Sequence, residues 1–246
     1  MSPAGAAEGL ALAKDLDVPS LARAFARQGR LHIPGILRPA DAQAVGAALA
    51  AVPWHRSLTA AGKSYDIALE TLDAMPDDRR AGMIQAMHAA AREGFQYQFD
   101  AWRLSDLMEA GQRAGGVLSP LEGLYDLVNS PAFLGLIGDL TGETRAAYCD
   151  AQATRYRPGD FLNTHDDEAE GKHRLFAYVL NFTPRWRIDW GGLLAFHGPD
   201  GHVAEAYVPT FNALNIFRVP QPHSVTQVAS FAGGPRLSVT GWIRER

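Results

Sequence analysis

From residue 144 onward, the sequence is a succession of short stretches in which apolar and polar residues alternate. Turns rich in glycine, proline and aspartate, such as RPGD, GPDG and AGGP, separate these stretches. A period of two is typical of strands with one buried face, and many short strands at regular spacing favour an antiparallel sandwich or barrel. The predicted strands are 145–157, 174–182, 192–198, 203–209, 213–219, 224–230 and 236–244.

The first half of the chain has mainly helical patterns. Ser20 is a candidate helix cap, Gly29 a candidate helix end, and Pro39 a candidate first helical residue. The predicted helices are 20–27, 39–51, 77–94 and two that begin near 120 and 129; the predicted strands are 31–35, 54–58 and 95–104. We therefore expect one α+β domain over 1–246, with a mainly helical lead-in over about 1–143 and a β-rich core over about 144–246.

Composition narrows the classes of partner and location. The chain has 246 residues and a formal net charge of −4, so we expect neither nucleic acid nor a membrane surface as partner. It has no apolar run long enough to span a membrane. The N-terminal stretch MSPAGAAEGLALAKDLD lacks a basic start and an apolar core, so we do not expect a signal peptide. Cys149 is the only cysteine; we expect a buried apolar role for it and a cytoplasmic protein.

The stretch FLNTHDD at 161–167 places one histidine beside two acids. Side chains at i and i+2 of an extended segment point to the same side, so His165 and Asp167 can face one point while Asp166 faces away. His223, in QPHSV, begins a later predicted strand and supplies a third candidate ligand. Two histidines and one carboxylate form the facial triad of non-haem Fe(II) oxygenases, and the same set also suits zinc. The residues therefore predict a metal site, with a zinc hydrolase as an open alternative.

Arg236 and Ser238 follow His223 across the turn FAGGP. An antiparallel hairpin would bring their strand beside the strand of His223, and the period of two places both residues on one face. A guanidinium beside a hydroxyl is a good receptor for a carboxylate. We therefore expect Arg236, with Ser238, to hold the far carboxylate of a 2-oxo acid that chelates the metal.

Together, RYRPGDFLNTHDDE, WGGLLAF, QPHSV and RLSVTGW resemble the 2-oxoglutarate- and Fe(II)-dependent dioxygenases, and among them the prolyl-hydroxylase-like branch. GRLHIPGIL, FQYQFD and LVNSPAFLGLIGDLTGE are similar to the helical lead-in of bacterial and ribosomal-protein members, so the resemblance covers most of the chain. It implies a double-stranded β-helix, or jelly-roll, core with N-terminal supporting helices. It also implies Fe(II) and 2-oxoglutarate as cofactors, ascorbate as a supporting reductant, and hydroxylation of a C–H bond with release of succinate and CO2.

The resemblance implies two further residues of the cofactor pocket. Tyr156 matches a tyrosine that commonly lines this pocket. Asn181 stands where a tyrosine often contacts the 2-oxoglutarate carboxylate, and an asparagine amide can still donate a hydrogen bond there. Lys172 and Arg174 are the nearest alternatives to Arg236 as carboxylate anchors.

The resemblance favours a protein or peptide substrate, above all a prolyl residue, over a free amino acid. The loop TPRWRIDWGG at 183–192 offers aromatic rings and guanidinium groups that suit a proline ring and a peptide backbone, so we interpret Trp186 as part of a substrate entrance. A hydroxylase of a small molecule and a non-catalytic jelly-roll binding or sensor protein stay open as competing hypotheses. The sequence indicates no oligomeric state.

Overall fold

The computed structural model describes residues 9–60 and 62–245, and the structural statements below refer to these residues. The expectation about the N-terminal stretch falls partly on residues 1–8, which lie outside them. The α-helices span Val18–Gln28 (α1), Pro39–Ala48 (α2), Leu69–Asp73 (α3), Asp77–Ala91 (α4), Leu104–Glu109 (α5), Ser119–Val128 (α6) and Pro131–Thr141 (α7). Short 3₁₀ turns occupy Leu49–Ala51, Gly116–Leu118 and Ile188–Trp190.

Local capping chemistry sets the helix boundaries. Asp17 accepts a hydrogen bond from the backbone N–H of Ser20 at 3.1 Å, so Asp17, and not the predicted Ser20, caps α1. Gly29 ends α1 with a left-handed φ of 67°, as predicted. Ser130 caps α7 by accepting a hydrogen bond from the N–H of Phe133. The helical character of the first half is therefore confirmed, with small shifts in the starting residues.

The strands of the described residues join one antiparallel sheet. They span Arg30–Pro34 (β1), His55–Ala60 (β2), Lys63–Ala68 (β3), Tyr97–Trp102 (β4), Tyr148–Cys149 (β5), Gln152–Tyr156 (β6), Phe161–His165 (β7), Arg174–Asn181 (β8), Leu194–His197 (β9), Val203–Tyr207 (β10), Ala213–Arg218 (β11), His223–Val225 (β12) and Arg236–Arg244 (β13). Their order is β1-β11-β8-β13-β6-β4-β7-β12-β9-β10, with β2 and β3 attached at β4 and β5 at β13. This sheet curls into a nearly closed jelly roll, which confirms the predicted fold class.

The sheet packs against helices on one side and encloses a cavity on the other. On β8, Phe176, Tyr178 and Leu180 belong to the main core under α1 and α7. The alternating residues Ala177 and Val179 belong to a separate cluster that lines the cavity. The period of two thus assigns each strand one face for the helices and one for the candidate site.

Burial confirms the expectation for Cys149, which is fully buried. Trp54 and Trp102 also lie in the main core. At the two ends of the strand order, Arg30 of β1 forms a salt bridge of 2.6 Å with Glu205 of β10. None of the helices in the part of the chain that the structure describes combines the length and the apolar character needed to cross a membrane.

Several predicted elements differ in detail. The stretch 145–157 forms two short strands, β5 and β6, which pair with β13 in one register and are interrupted at Asp150, whose carboxylate accepts a hydrogen bond from the backbone N–H of Trp242 at 2.7 Å. The stretch 224–230 keeps strand geometry only through Val225. Strand β3 and helix α5 were not predicted; both are short, and β3 is an exposed strand that pairs only with β2.

The predicted hairpin between the strand of His223 and that of Arg236 is wrong. Strand β12 pairs with β7 and β9, whereas β13 pairs with β5, β6 and β8. The segment between them crosses from one side of the jelly roll to the other. His223 and Arg236 therefore approach the cavity from strands that do not pair with each other.

Candidate active site

Three candidate metal ligands converge beside β7 and β12. His165 ends β7, His223 begins β12, and the two residues lie opposite each other in the ladder between these strands. Asp167 places its Oδ1 3.3 Å from His165 Nε2 and its Oδ2 3.4 Å from His223 Nε2. One ligand atom from each residue lies within 4.8 Å of the others, which suits a single metal ion.

Asp167 reaches this site by a route that simple alternation does not predict. Strand β7 ends at His165, and Asp167 has a left-handed backbone with a φ of 66°. A non-glycine residue in this region is uncommon and needs support from its surroundings. Arg174 gives such support, because its Nη1 donates a hydrogen bond to the carbonyl of Asp167 at 2.9 Å. His165 and Asp167 do face one point, as predicted, but through a turn and not along a continuous strand.

Backbone carbonyls orient the two histidines. His165 Nδ1 lies 2.9 Å from the carbonyl of Asn163, and His223 Nδ1 lies 2.8 Å from the carbonyl of Gln221. Each Nδ1–H donates to its carbonyl, which leaves the Nε2 lone pair directed at Asp167. Two lone pairs and a carboxylate that face one another repel unless a cation lies between them. This donor set therefore fits a divalent metal.

Protonation states in the triad agree with metal binding. Burial, assisted by the neighbouring His165, lowers the pKa of His223 to about 4, so its imidazole is neutral at neutral pH. Burial alone would raise the pKa of Asp167, but its close contacts with His165 and His223 outweigh burial and hold the pKa below its usual value. A neutral imidazole and an ionised carboxylate are the forms that coordinate metals.

Arg236 carries an unpaired charge into the same cavity. It begins β13, its side chain is 2% exposed, and its Nε and Nη1 have no hydrogen-bond partner among the described residues. Its guanidinium lies 5.1 Å from the ring centre of Tyr156, which stacks on Phe99 at 4.9 Å. Leaving a buried cation without a partner costs roughly several kcal/mol of stability. An anion is therefore the natural complement of Arg236.

A cavity of about 460 Å³ joins the triad to Arg236. This volume lies within the range of small-molecule sites, and a few polar groups in a largely apolar wall are typical of them. Tyr156 lines the cavity, as predicted. The other walls come from both sides of the jelly roll and include Ala177, Val179, Leu194, Phe217 and Val225.

Ser238 and Asn181 lie deeper than predicted. Both are fully buried and absent from the cavity wall. The hydroxyl of Ser238 lies 2.8 Å from that of Thr154, which does line the cavity, while the Asn181 amide donates to the carbonyl of Ala213 at 3.3 Å. Asn181 Oδ1 has no partner among the described residues. Contact of Ser238 or Asn181 with a cofactor stays a prediction, and Thr154 is a wall residue that the sequence did not reveal.

The loop at 183–192 does not form the entrance that we expected. Trp186 is half-buried, its indole N–H donates to the carbonyl of Gly191 at 2.9 Å, and it does not line the cavity. It packs so closely behind the site that a Cβ on Gly192 would lie 3.2 Å from Trp186 and 3.6 Å from Arg236. Trp186 therefore packs against the buried cluster that contains Tyr156, Val225 and Val228 and does not line the cavity, so the entrance prediction is wrong for this residue.

The outer cavity wall contains residues that sequence patterns did not identify. Arg174 stacks on Trp242, with its guanidinium 3.5 Å from the ring centre, and it lines the cavity, whereas Lys172 lies in a neighbouring groove. Gln152 and Thr240 also line the cavity at its half-buried end. The alternation of β6 and β13 could have identified both, since they continue the series of Tyr156 and Arg236 outward.

Sequence comparisons give one matching family model and several matching curated relatives. Residues 151–244 match the family model described as the 2OG-Fe(II) oxygenase superfamily. The chain is 39% identical over 101 residues to prolyl 3-hydroxylase OGFOD1 of Xenopus laevis, and 35% identical over the same length to that of Mus musculus. Each match covers 38% of this chain, but 19% and 18% of the relatives, so the chain spans about a fifth of the curated relatives that it matches.

Solved structures share the fold at low sequence identity. A prolyl-4-hydroxylase of Pseudomonas putida aligns with a TM-score of 0.55 and 20% identity, over 93% of this chain and 99% of that one. A prolyl hydroxylase of Trichoplax adhaerens, in complex with a peptide fragment of the hypoxia-inducible factor oxygen degradation domain, aligns with a TM-score of 0.61 and 14% identity, over 93% and 89%. At these identities the comparison establishes the fold alone.

Proposed function

We propose that this chain is a 2-oxoglutarate- and Fe(II)-dependent dioxygenase that hydroxylates a prolyl residue in a protein, because residues 151–244 match the 2OG-Fe(II) oxygenase superfamily. Fe(II) and 2-oxoglutarate are the cofactors of the superfamily, and succinate and CO2 are the co-products in this proposal. One observation carries it. A two-histidine, one-carboxylate cluster and a buried, unpaired arginine share one cavity.

Each polar residue of the cavity has a task in this proposal. His165, Asp167 and His223 hold the metal, and Arg236 holds the far carboxylate of 2-oxoglutarate through a forked, charge-assisted contact. When bound, Fe(II) and 2-oxoglutarate would activate O2, so that one oxygen atom converts a C–H bond into a C–OH bond and the other oxidises 2-oxoglutarate to succinate and CO2. A zinc hydrolase would give no role to Arg236, whose charge has no counter-ion among the described residues.

The surrounding residues orient the ligands and exclude water. Arg174 fixes the turn of Asp167 through its carbonyl. The ring of Phe95 lies 5.5 Å from that of His165, and the ring of Phe217 lies 4.5 Å from that of His223. These apolar rings keep solvent from the histidines and strengthen electrostatic interactions within the site.

The relatives favour a peptidyl substrate over a free amino acid. The matching curated proteins are named prolyl 3-hydroxylases, and one structure of the same fold holds a peptide. The cavity of this chain also shares wall residues with two more open grooves, so a chain that extends beyond the reacting residue has room to continue. Hydroxylation of a free amino acid is the second candidate, because the cavity of about 460 Å³ has the volume of a small-molecule site.

We include three further features in the proposal. The helical lead-in and the jelly roll form one domain, which is supported by the pairing of β1 with β11 and of β4 with β6 and β7. The protein acts in the cytoplasm, which is supported by a single, fully buried cysteine, Cys149. Ascorbate assists turnover by keeping the iron reduced.

Ligand variants test the reaction. His165→Ala or Asp167→Ala should abolish 2-oxoglutarate turnover and leave the fold intact, because both residues belong to a site and not to the core. His202→Ala, at an exposed turn, is the matched control and should keep full turnover. Wild-type protein with Fe(II) and 2-oxoglutarate should add one oxygen atom to a protein in host lysate, as detected by mass spectrometry of prolyl peptides. Normal turnover by either ligand variant would refute the assignment.

A further inference from the structure

The cavity-facing side chains of β6 and β13 change from buried to accessible along each strand. On β13, Arg236 is buried and Thr240 is half-buried; on β6, Tyr156 and Thr154 are buried and Gln152 is half-buried. Gln152 and Thr240 are direct partners in the antiparallel ladder between these strands. They therefore form one polar pair, the Gln152–Thr240 pair, at the outer end of the cavity.

The Gln152–Thr240 pair also lines a second, smaller groove. This groove has a volume of about 250 Å³ and shares Arg103, Arg174 and Trp242 with the main cavity. The rest of its wall is mainly polar and includes Lys172, Tyr148 and Arg244. The pair thus lies where the metal cavity meets an outer polar groove, and a ligand that occupies both must pass over it.

The polar groups of this pair are free to bind a ligand. Among the described residues, no hydrogen bond uses the amide of Gln152 or the hydroxyl of Thr240. Their polar neighbours are engaged: Arg103 pairs with Asp66 at 2.8 Å, and Arg174 donates to the carbonyl of Asp167. A glutamine amide and a threonine hydroxyl each offer both donors and acceptors, which are the complement of a peptide group.

We propose that the Gln152–Thr240 pair binds the backbone of a substrate chain next to the hydroxylated residue and so selects peptidyl over free amino-acid substrates. This inference rests on the proposed function. An extended chain that places one residue at the metal site carries its neighbouring peptide groups into the outer groove, where the pair meets them. A free amino acid fills the inner cavity alone and makes no such contact. The polar character of the groove suits a backbone better than an apolar side chain.

The experiment uses the holoenzyme with Fe(II) and 2-oxoglutarate and a library of capped nonapeptides, acetyl-X4-Pro-X4-amide, with free L-proline in parallel. The library peptide that wild-type enzyme converts best becomes the probe. Gln152→Leu keeps the size of the side chain but removes its donors and acceptors, and Thr240→Val does the same for the hydroxyl. Gln112→Leu, at an exposed position outside all three cavities, is the matched control.

Each variant of the pair should raise the KM for the probe by about fivefold, the effect of one lost hydrogen bond, with kcat little changed. The Kd for the probe, titrated without oxygen so that no turnover occurs, should rise by the same factor. The control should match wild type. Unchanged KM and Kd in both variants, with active wild-type enzyme, would overturn this inference and leave the proposed function standing. Conversion of free proline with every library peptide inert would overturn both.

Discussion

Two buried arginines of this protein differ in what faces their charge. Arg56 of β2 is 7% exposed and contacts Asp160 at 2.6 Å and Asp100 at 2.9 Å. Arg236 of β13 is 2% exposed, and its Nε and Nη1 have no partner among the described residues; an aromatic ring, Tyr156, lies nearest its charge. A buried charge is tolerated when it is paired and is costly when it is not. The comparison distinguishes an arginine that stabilises the fold from one that, in our proposal, binds a ligand.

The ion-pair cluster around Arg56 connects several strands, whereas Arg236 lies in the wall of the cavity. Asp100 of β4 also pairs with Arg155 at 2.8 Å and Arg157 at 3.0 Å, so it joins β2, β4, β6 and the following turn. Burial raises the pKa of Asp100, and the surrounding guanidinium groups oppose this shift. None of these groups lines the metal cavity. We infer that the cluster has a structural role.

The largest expected effect on stability comes from breaking the paired arginine. Above pH 7, where Asp160 is ionised, Arg56→Met should lower the free energy of unfolding by about 3–5 kcal/mol, because it leaves this buried carboxylate without its cation. Urea unfolding followed by circular dichroism measures this loss. Arg113→Met is the control: Arg113 pairs with Asp126 on the exposed surface, and its loss should leave the free energy of unfolding nearly unchanged. An effect that small for Arg56→Met would show that the two buried arginines do not differ as described.

The matching substitution at Arg236 should act on ligand affinity and not on stability. Arg236→Met removes a charge-assisted contact worth about 2–5 kcal/mol, so the affinity for 2-oxoglutarate should fall roughly tens- to thousands-fold. Without 2-oxoglutarate, the free energy of unfolding should stay the same or rise, since an unpaired buried charge is removed. Titration of 2-oxoglutarate turnover and urea unfolding check the two parts. An unchanged titration would mean that another residue, such as Arg174, holds the carboxylate.

The acid partner of Arg56 gives a pH test of the same cluster. Burial raises the pKa of Asp160 to about 7, although Arg56 opposes the shift. Between the unfolded pKa of about 3.9 and this value, the folded protein holds a proton that the unfolded chain has lost. The stability from this group is therefore complete below about pH 4 and is lost as the pH rises through 7. Asp160→Asn should flatten the stability profile over this window, by at most about 1.4 kcal/mol per pH unit. Identical slopes in the two proteins would contradict the assignment.

The sequence predicted the unpaired arginine but not the paired one, and the reason is distance along the chain. Arg236 belongs to a short motif, RLSVTGW, beside a predicted turn. Arg56 and Asp160 are 104 residues apart, and no local pattern connects them. The alternation of the second half predicted the jelly roll well, because each strand carries its own period. Pairings between distant strands depend on the whole topology. Strand β12 pairs with β7, whereas the prediction paired it with β13 as a hairpin.

Side-chain direction was the other weak point of the prediction. The spacing of His165 and Asp167 indicated the metal site, but a turn with a positive φ at Asp167, and not strand alternation, brings them together. The aromatic ring of Trp186 suits a substrate contact, but Trp186 packs behind the site. Its indole N–H donates a hydrogen bond to the carbonyl of Gly191 there. Burial of Asn181 away from the cavity wall likewise follows from packing across β8, β11 and β13, which composition does not encode.

A third arginine is paired, like Arg56, but is more exposed to water. Its substitution should have the smallest effect on the free energy of unfolding. Arg30 of β1 pairs with Glu205 of β10 at 2.6 Å, but the two side chains are 15% and 33% exposed, so water screens the pair. Arg30→Met keeps an aliphatic stem but removes the guanidinium, which also lies 4.9 Å from the ring centre of Phe196. We expect a loss of about 0.5–1 kcal/mol in the free energy of unfolding, since partly exposed pairs contribute little. A double-mutant cycle with Glu205→Gln isolates the pair from its neighbours. A coupling energy as large as the loss in Arg56→Met would contradict this comparison. It would mean that the stability from an ion pair depends here on closing the strand order and not on burial of the charges.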